Sequence, residues 1–253
     1  MSALAAAPLA AAQAPICPDR PGKASAVCTV PLGRWQVESS LVDWSLTKSG
    51  DERTELTSLA STTVKYGWSE RSDIEVALTP YVRLTSTDSF GSHQASSFGD
   101  LIVRFKQRLT GDDAGIQLAV FPFIKLPAAT RQLGNGKIEG GLTVPLSFTL
   151  VGPVTMTLGA ELDLLANADG HGTHVAVVNV VNFSAPLGRR LTLSGELWGN
   201  VNGDAGGTVR QASADAAIAY AVSNDFQLDV GGNFGLSRNT PDVELYGGMS
   251  VRF

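Results

Sequence analysis

The sequence predicts an all-β fold: a closed antiparallel transmembrane β-barrel of about twelve strands, with short periplasmic turns and longer outer loops. Three observations carry this. From residue 34 to 253 apolar residues recur with a period of two and no helical period is sustained. The alternating segments are roughly twice the five or six residues of an average strand, and long enough for the roughly 9–11 residues that cross hydrocarbon at a tilt. Connections alternate between brief and long, as two chemically different rims require. No run approaches the 18 or so apolar residues of a spanning helix.

Taken in order, the first element is an export signal. Leu4 to Ala14 is almost all Ala and Leu and ends in small-residue triplets such as Ala10-Ala11-Ala12, so residues 1–12 are expected to be a signal peptide. Residues 13–33 then form a periplasmic segment before the first strand. Its Cys17 and Cys28 are the only cysteines. Two cysteines closing a short loop in an exported chain are expected to be a disulfide. Neither has a histidine nearby, which argues against a metal site.

The barrel is expected over 34–253, with strands near 34–45, 54–68, 72–86, 98–110, 114–126, 137–150, 153–167, 172–184, 189–200, 209–222, 225–237 and 242–253. Within the third, Ile74, Val76, Leu78, Pro80, Val82 and Leu84 alternate with Asp73, Glu75, Ala77, Thr79, Tyr81 and Arg83. Successive side chains point to opposite faces of a strand, so each segment has one apolar and one polar face. In the eighth, Asn179 falls on the apolar face, and a bulge there is expected to resolve the conflict. Long outer loops are expected at 48–53, 87–97, 127–136 and 201–207. Trp35, Trp68, Phe183, Phe226 and Phe253 lie on the apolar face nearest the short turns, where an interfacial girdle belongs, whereas Trp44 and Trp198 are read as inward.

A soluble sandwich would pack the apolar face on a second sheet and leave the polar face scattered in water. Here the polar face is ordered. Lys65, Arg83, Arg104, Lys106, Arg108 and Lys125 make a basic wall, and Glu139, Glu161, Asp163, Glu196, Asp215 and Asp229 an acidic one. Glu38, Glu75, Glu244 and Arg252 complete the candidates for lining a lumen, across which opposite charges could pair at reduced dielectric.

Other chemistries are poorly represented. The pI of about 5.2 argues against nucleic acid. His93, His171 and His174 fall in expected outer loops, and none is placed for a Ser–His pair. Gly134-Asn135-Gly136 and Gly231-Gly232 lack the helix of a phosphate-binding loop. No enzyme activity, cofactor or metal site is therefore expected.

Six short pieces stand out in order: Asp19-Arg20-Pro21-Gly22-Lys23, the stretch from Thr29 to Glu38, Lys65-Tyr66-Gly67-Trp68, Phe98-Gly99-Asp100-Leu101, Lys125-Leu126-Pro127 and Tyr246-Gly247-Gly248. Together they resemble the outer-membrane family named for the meta-pathway of phenol degradation. The resemblance implies an outer-membrane transporter of a Gram-negative cell, often associated with aromatic catabolism, and supplies no established site residues. The expected function is passive passage of small solutes, aromatic or hydrophobic ones among them. The alternative is a structural or adhesive barrel, closed by its charges and acting through its outer loops. Expected partners are the outer-membrane bilayer, the barrel-assembly machinery through the C-terminal strand ending in Phe253, and small solutes, with the chain a monomer.

Overall fold

The structure is a computed structural model that describes residues 14–253. The expected signal peptide lies outside the described residues. The strands are β1 (Trp35–Ser49), β2 (Glu52–Ser69), β3 (Ser72–Leu78), β4 (Tyr81–Asp88), β5 (Gly91–Ser97), β6 (Leu101–Arg108) and β7 (Ile116–Leu126). They continue with β8 (Glu139–Val151), β9 (Val154–Ala166), β10 (Thr173–Leu187), β11 (Leu191–Asp204), β12 (Gly207–Ser223), β13 (Phe226–Gly235) and β14 (Val243–Arg252). Every pairing is antiparallel, and β1 bonds both β14 and β2, which closes the sheet.

Two of the fourteen segments are continuations of others. Leu78 of β3 pairs Thr62 of β2, and Tyr81 of β4 pairs Leu59 in the same register. Likewise Ala77 pairs Ile102, and Val82 pairs Ser97. Thus β3–β4 is one long strand broken at Thr79-Pro80, where proline has no N–H for the ladder. The β5–β6 strand is broken across the way at 98–100. Counting each merged pair once leaves twelve spanning strands.

Burial is inverted relative to a soluble protein. The largest fully buried side chains are Lys65, Lys106, Gln36, Glu75 and Asp73, while Leu162, Leu197 and Val230 are more than half exposed. A polar interior and an apolar exterior are stable only where the exterior meets hydrocarbon, and only a closed barrel satisfies every strand hydrogen bond there. The protein is an outer-membrane β-barrel. Trp35, Trp68, Phe183 and Phe253 are exposed at the end carrying the chain termini, the periplasmic rim of such barrels.

Three local expectations change. The outer connections at 48–53, 87–97 and 201–207 are mostly strand: β1–β2, β4–β5 and β11–β12 extend as hairpins closed by two residues each. The long outer loops are 127–138, 167–172 and 236–242. Asn179 causes no bulge, because β10 keeps unbroken register with β9 and β11, so its side chain is left exposed on the lipid face. A bulge does occur in β1 between Ser40 and Val42, opposite Ala60 with φ of 55°. It shifts the alternation and turns Trp44 to the face of its exposed partner Leu245 rather than inward.

Residues 14–33 fold into the barrel from the periplasmic end. On the way in, the Ile16 N–H donates to the Asn224 carbonyl (2.6 Å), and Arg252 Nη2 donates to the Ala14 carbonyl (2.7 Å). On the way out, the Val30 N–H donates to Asp73 Oδ2 (2.8 Å) and the Gly33 N–H to the Gly67 carbonyl (2.9 Å). Cys17 and Cys28 are joined by a disulfide that ties the two limbs. Gly67 permits the close return, since a Cβ there would lie 2.0 Å from the Pro31 carbonyl oxygen.

Candidate functional site

The tip of this N-terminal plug, Asp19 to Ala24, reaches both walls of the lumen. Its acid meets the basic wall. Asp19 accepts from Lys106 Nζ at 2.7 and 2.9 Å and from Lys65 Nζ. Lys65 also pairs with Glu38 and, at 3.4 Å, with Glu75. The plug's bases meet the acidic wall. Arg20 clasps Asp229 with Nη2 at 2.7 Å and Nε at 3.3 Å. Lys23 Nζ reaches Asp215 Oδ2 at 2.9 Å and Ser213 Oγ at 2.8 Å, and lies 4.8 Å from the Trp198 ring centre. The plug thus supplies the counter-charges that the two walls lack for one another. Burial alone would raise the Asp19 carboxyl, but the adjacent Lys106 and Lys65 outweigh it and hold Asp19 well below the usual carboxylate range.

Two barrel glutamates grip the plug by its backbone. Glu38 accepts the N–H groups of Asp19 (3.0 Å) and Arg20 (3.2 Å). Glu196 accepts those of Lys23 (2.8 Å) and Ala24 (3.0 Å), and is braced by Asn182 at 3.0 Å. Such contacts recognise the shape of the turn rather than its side chains. They require Gly22, where a Cβ would stand 2.3 Å from Glu196 Oε1.

The remaining sequence candidates fall elsewhere. Arg104 lines a chamber of about 320 Å³ above the tip, shared with Ser40, Asp43, Ser61 and Thr63, and lies 5.8 Å from the Phe121 ring centre. Lys125 bridges Glu139 (2.7 Å) and Asp100 (3.1 Å) near the outer mouth. On β9, Glu161 accepts from Thr143 and Asp163 is buried beside it. Glu244 accepts from Asn233 at 2.7 Å, and Arg252 pairs with Asp225 at 2.6 Å at the periplasmic rim. Arg108 also sits at that rim, contacting Asp112 and a chamber of about 380 Å³ beside the disulfide. Arg83 is placed apart: cross-strand partners share a face, and Leu245, Trp44, Thr57 and Arg83 follow one another on the outward one. It is exposed and donates to Gln94. The alternation through Pro80 pointed it inward, but the faces switch at the Ala60 irregularity.

Asp19, Arg20, Gly22 and Lys23 were not among the lumen candidates, although an acid and two bases within five residues of an exported segment are a visible signal. A larger chamber, about 1130 Å³, opens beneath the outer loops between β8 and β12. His174, expected in a loop, instead lies in β10 on its wall. Among the described residues no cluster of metal-ligating side chains is present.

A family profile described as "Putative MetA-pathway of phenol degradation" matches residues 18–253. Solved structures with the same fold include an outer membrane channel from Pseudomonas putida F1, at 15% identity and TM-score 0.67, covering 92% of this chain and 99% of that one. The NanC porin is similar at 11% identity and TM-score 0.54, over 86% and 98% of the two chains. The β domain of the Bordetella autotransporter BrkA is similar at 15% and 0.56, over 88% and 100%. No curated protein matches the sequence.

Proposed function

The chain belongs to the family described as "Putative MetA-pathway of phenol degradation", and from that premise we propose that it is a monomeric channel admitting small solutes passively, with aromatic or hydrophobic ones among them. Residues 14–33 act as its inner gate. The observation that carries this is the seating of the plug on side-chain ion pairs and backbone clasps, contacts that water can replace when the plug moves. Aromatic solutes are supported by Phe121, whose ring centre lies 4.5 Å from Lys106 Nζ and 5.8 Å from the Arg104 guanidinium. The buried Phe121 ring already packs against these cations, and an aromatic solute in the adjoining chamber would meet the Arg104 guanidinium in the same way, with no catalytic chemistry asked of it. The same reading has the barrel-assembly machinery recognise the C-terminal strand that ends in Phe253.

The test is planar-bilayer conductance and liposome swelling, with the intact chain and with one lacking residues 14–33. Removal of the plug should raise both. A plugless barrel that still passes neither ions nor solutes would refute a transport role.

The seated plug also favours a second reading, a structural or adhesive barrel acting through its outer loops. Phe90, 93% exposed at the tip of the β4–β5 hairpin, is the kind of residue it would use. Loss of a cell-surface phenotype on deleting 87–97, with permeability unchanged, would select that reading.

A further inference from the structure

The outer chamber carries chemistry that the plug does not use. Its acids are already engaged: Glu139 accepts from Lys125 (2.7 Å), Asn135 (2.6 Å) and the Ala166 amide (2.9 Å). Asp204 accepts from the amides of Ala168 (2.8 Å) and Gly206 (2.6 Å). The rim cations are not. Among the described residues Arg131 has no acidic partner, and Lys137 Nζ bonds only the Gly170 carbonyl, at 3.1 Å. The chamber therefore presents at its mouth two cations without a described acidic partner, while Asp204 on its wall is held by backbone amides.

Its wall has the opposite need. Ala176 of β10 pairs Asn202 of β11, so His174, Asn202 and Asp204 share the inward face. His174 Nδ1 faces two acceptors, Asn167 Oδ1 at 2.9 Å and Asp204 Oδ2 at 3.4 Å, and so keeps the ring proton. With the proton of that tautomer on Nδ1, Nε2 is an acceptor. Nε2 and Asn202 Oδ1 are both buried without a hydrogen-bond partner, on a histidine side chain only 8% exposed in the first case. Buried acceptors lacking donors are rare in a folded interior, and a bound donor would relieve one of these two.

We propose that this chamber is a capture site for small carboxylates that also carry a hydroxyl group. The carboxylate is held by Arg131 and Lys137, and the hydroxyl donates its one proton to His174 Nε2. An ammonium could supply the donor but is repelled by the rim cations, and a solute without a donor leaves both acceptors bare. The proposal deepens the channel reading and rests on it, by placing the solute on the outer side of the plug.

The test is calorimetric titration of the full chain in detergent micelles with 4-hydroxybenzoate, against benzoate and phenol. Each comparator lacks one of the two groups, and each should bind at least about tenfold more weakly. The double variant Arg131→Gln/Lys137→Gln should weaken 4-hydroxybenzoate by about tenfold or more and leave phenol unchanged. His174→Ala should bring 4-hydroxybenzoate down to the level of benzoate. Equal affinities for the three probes, or affinities that neither variant moves, overturn the proposal. If His174→Ala does not fold, as judged by heat-modifiable gel migration, the variant of the two exposed rim cations still decides it. A protein that binds but does not conduct refutes the channel reading alone; one that conducts salt without binding 4-hydroxybenzoate refutes only the capture site.

Discussion

Replacing Arg20 with methionine should open the channel. Arg20 is the only described partner within hydrogen-bonding distance of Asp229, whose side chain is fully buried while that of Arg20 is 17% exposed. With the cation gone, a seated plug would cover an unpaired carboxylate, whereas an unseated plug leaves it in lumen water. Removing one partner of a buried pair costs about 3–5 kcal/mol, which shifts the seated-to-unseated ratio roughly 160- to 5,000-fold. Water reaching Asp229 around the thinner side chain favours the lower end. The assay is single-channel recording in planar bilayers, reading the ratio of open to closed dwell time. Asp229→Asn in the Arg20→Met background removes the stranded charge and should restore most of the closure, because an apolar or neutral replacement of a whole buried pair is far milder than half of one. An Arg20→Met channel as closed as the parent, or a double variant as open as the single one, would refute the idea that this pair holds the plug.

Further outcomes follow from the same geometry. Cys17→Ser/Cys28→Ser frees two residues eleven apart in sequence, and loss of this short cross-link should weaken the plug's ordering by about 3 kcal/mol, read as faster amide exchange over residues 14–33 and more frequent openings. The Asp19 carboxyl is held below its ordinary value of 3.8. A depressed folded-state value gives stability that is complete above the unfolded value and lost only as pH falls through the folded one. The difference in open probability between the parent and Asp19→Asn should therefore be flat from neutral pH down to about 4 and shrink only in stronger acid; a difference that vanishes between pH 7 and 5 contradicts this. Asn179→Leu should stabilise the barrel by about 1–2 kcal/mol in urea unfolding from lipid vesicles, since it replaces an amide that faces hydrocarbon midway along β10. Destabilisation would mean that Asn179 has a partner in the membrane.

The barrel was legible because its signal is local and repeated. A period of two over segments longer than ordinary strands leaves few folds that bury one face and wet the other, and the exposed Trp35, Trp68 and Phe253 at one end of the barrel agree with it. What misled was continuity. Alternation read through Pro80 put Arg83 inward, and alternation read through Leu41 did the same for Trp44, whereas the irregularity at Ala60 and the bulge beside it switch the faces of both. Asn179 erred the other way: a bulge was expected to hide a polar residue that the ladder simply leaves exposed.

Away from the irregularity at Ala60, the order of residues along the chain was sufficient to decide which side chains meet lipid and which enclose a lumen, because alternation on a strand is a matter of nearest neighbours. It could not decide what those enclosed charges pair with. Asp19 and Lys106 are 87 residues apart, and Arg20 and Asp229 are 209 apart. Only the closing of the sheet, and the entry of the N-terminal segment into it, brings such groups within reach. The two walls are wanting in opposite charges, and it takes the folded molecule to place a segment carrying both signs between them.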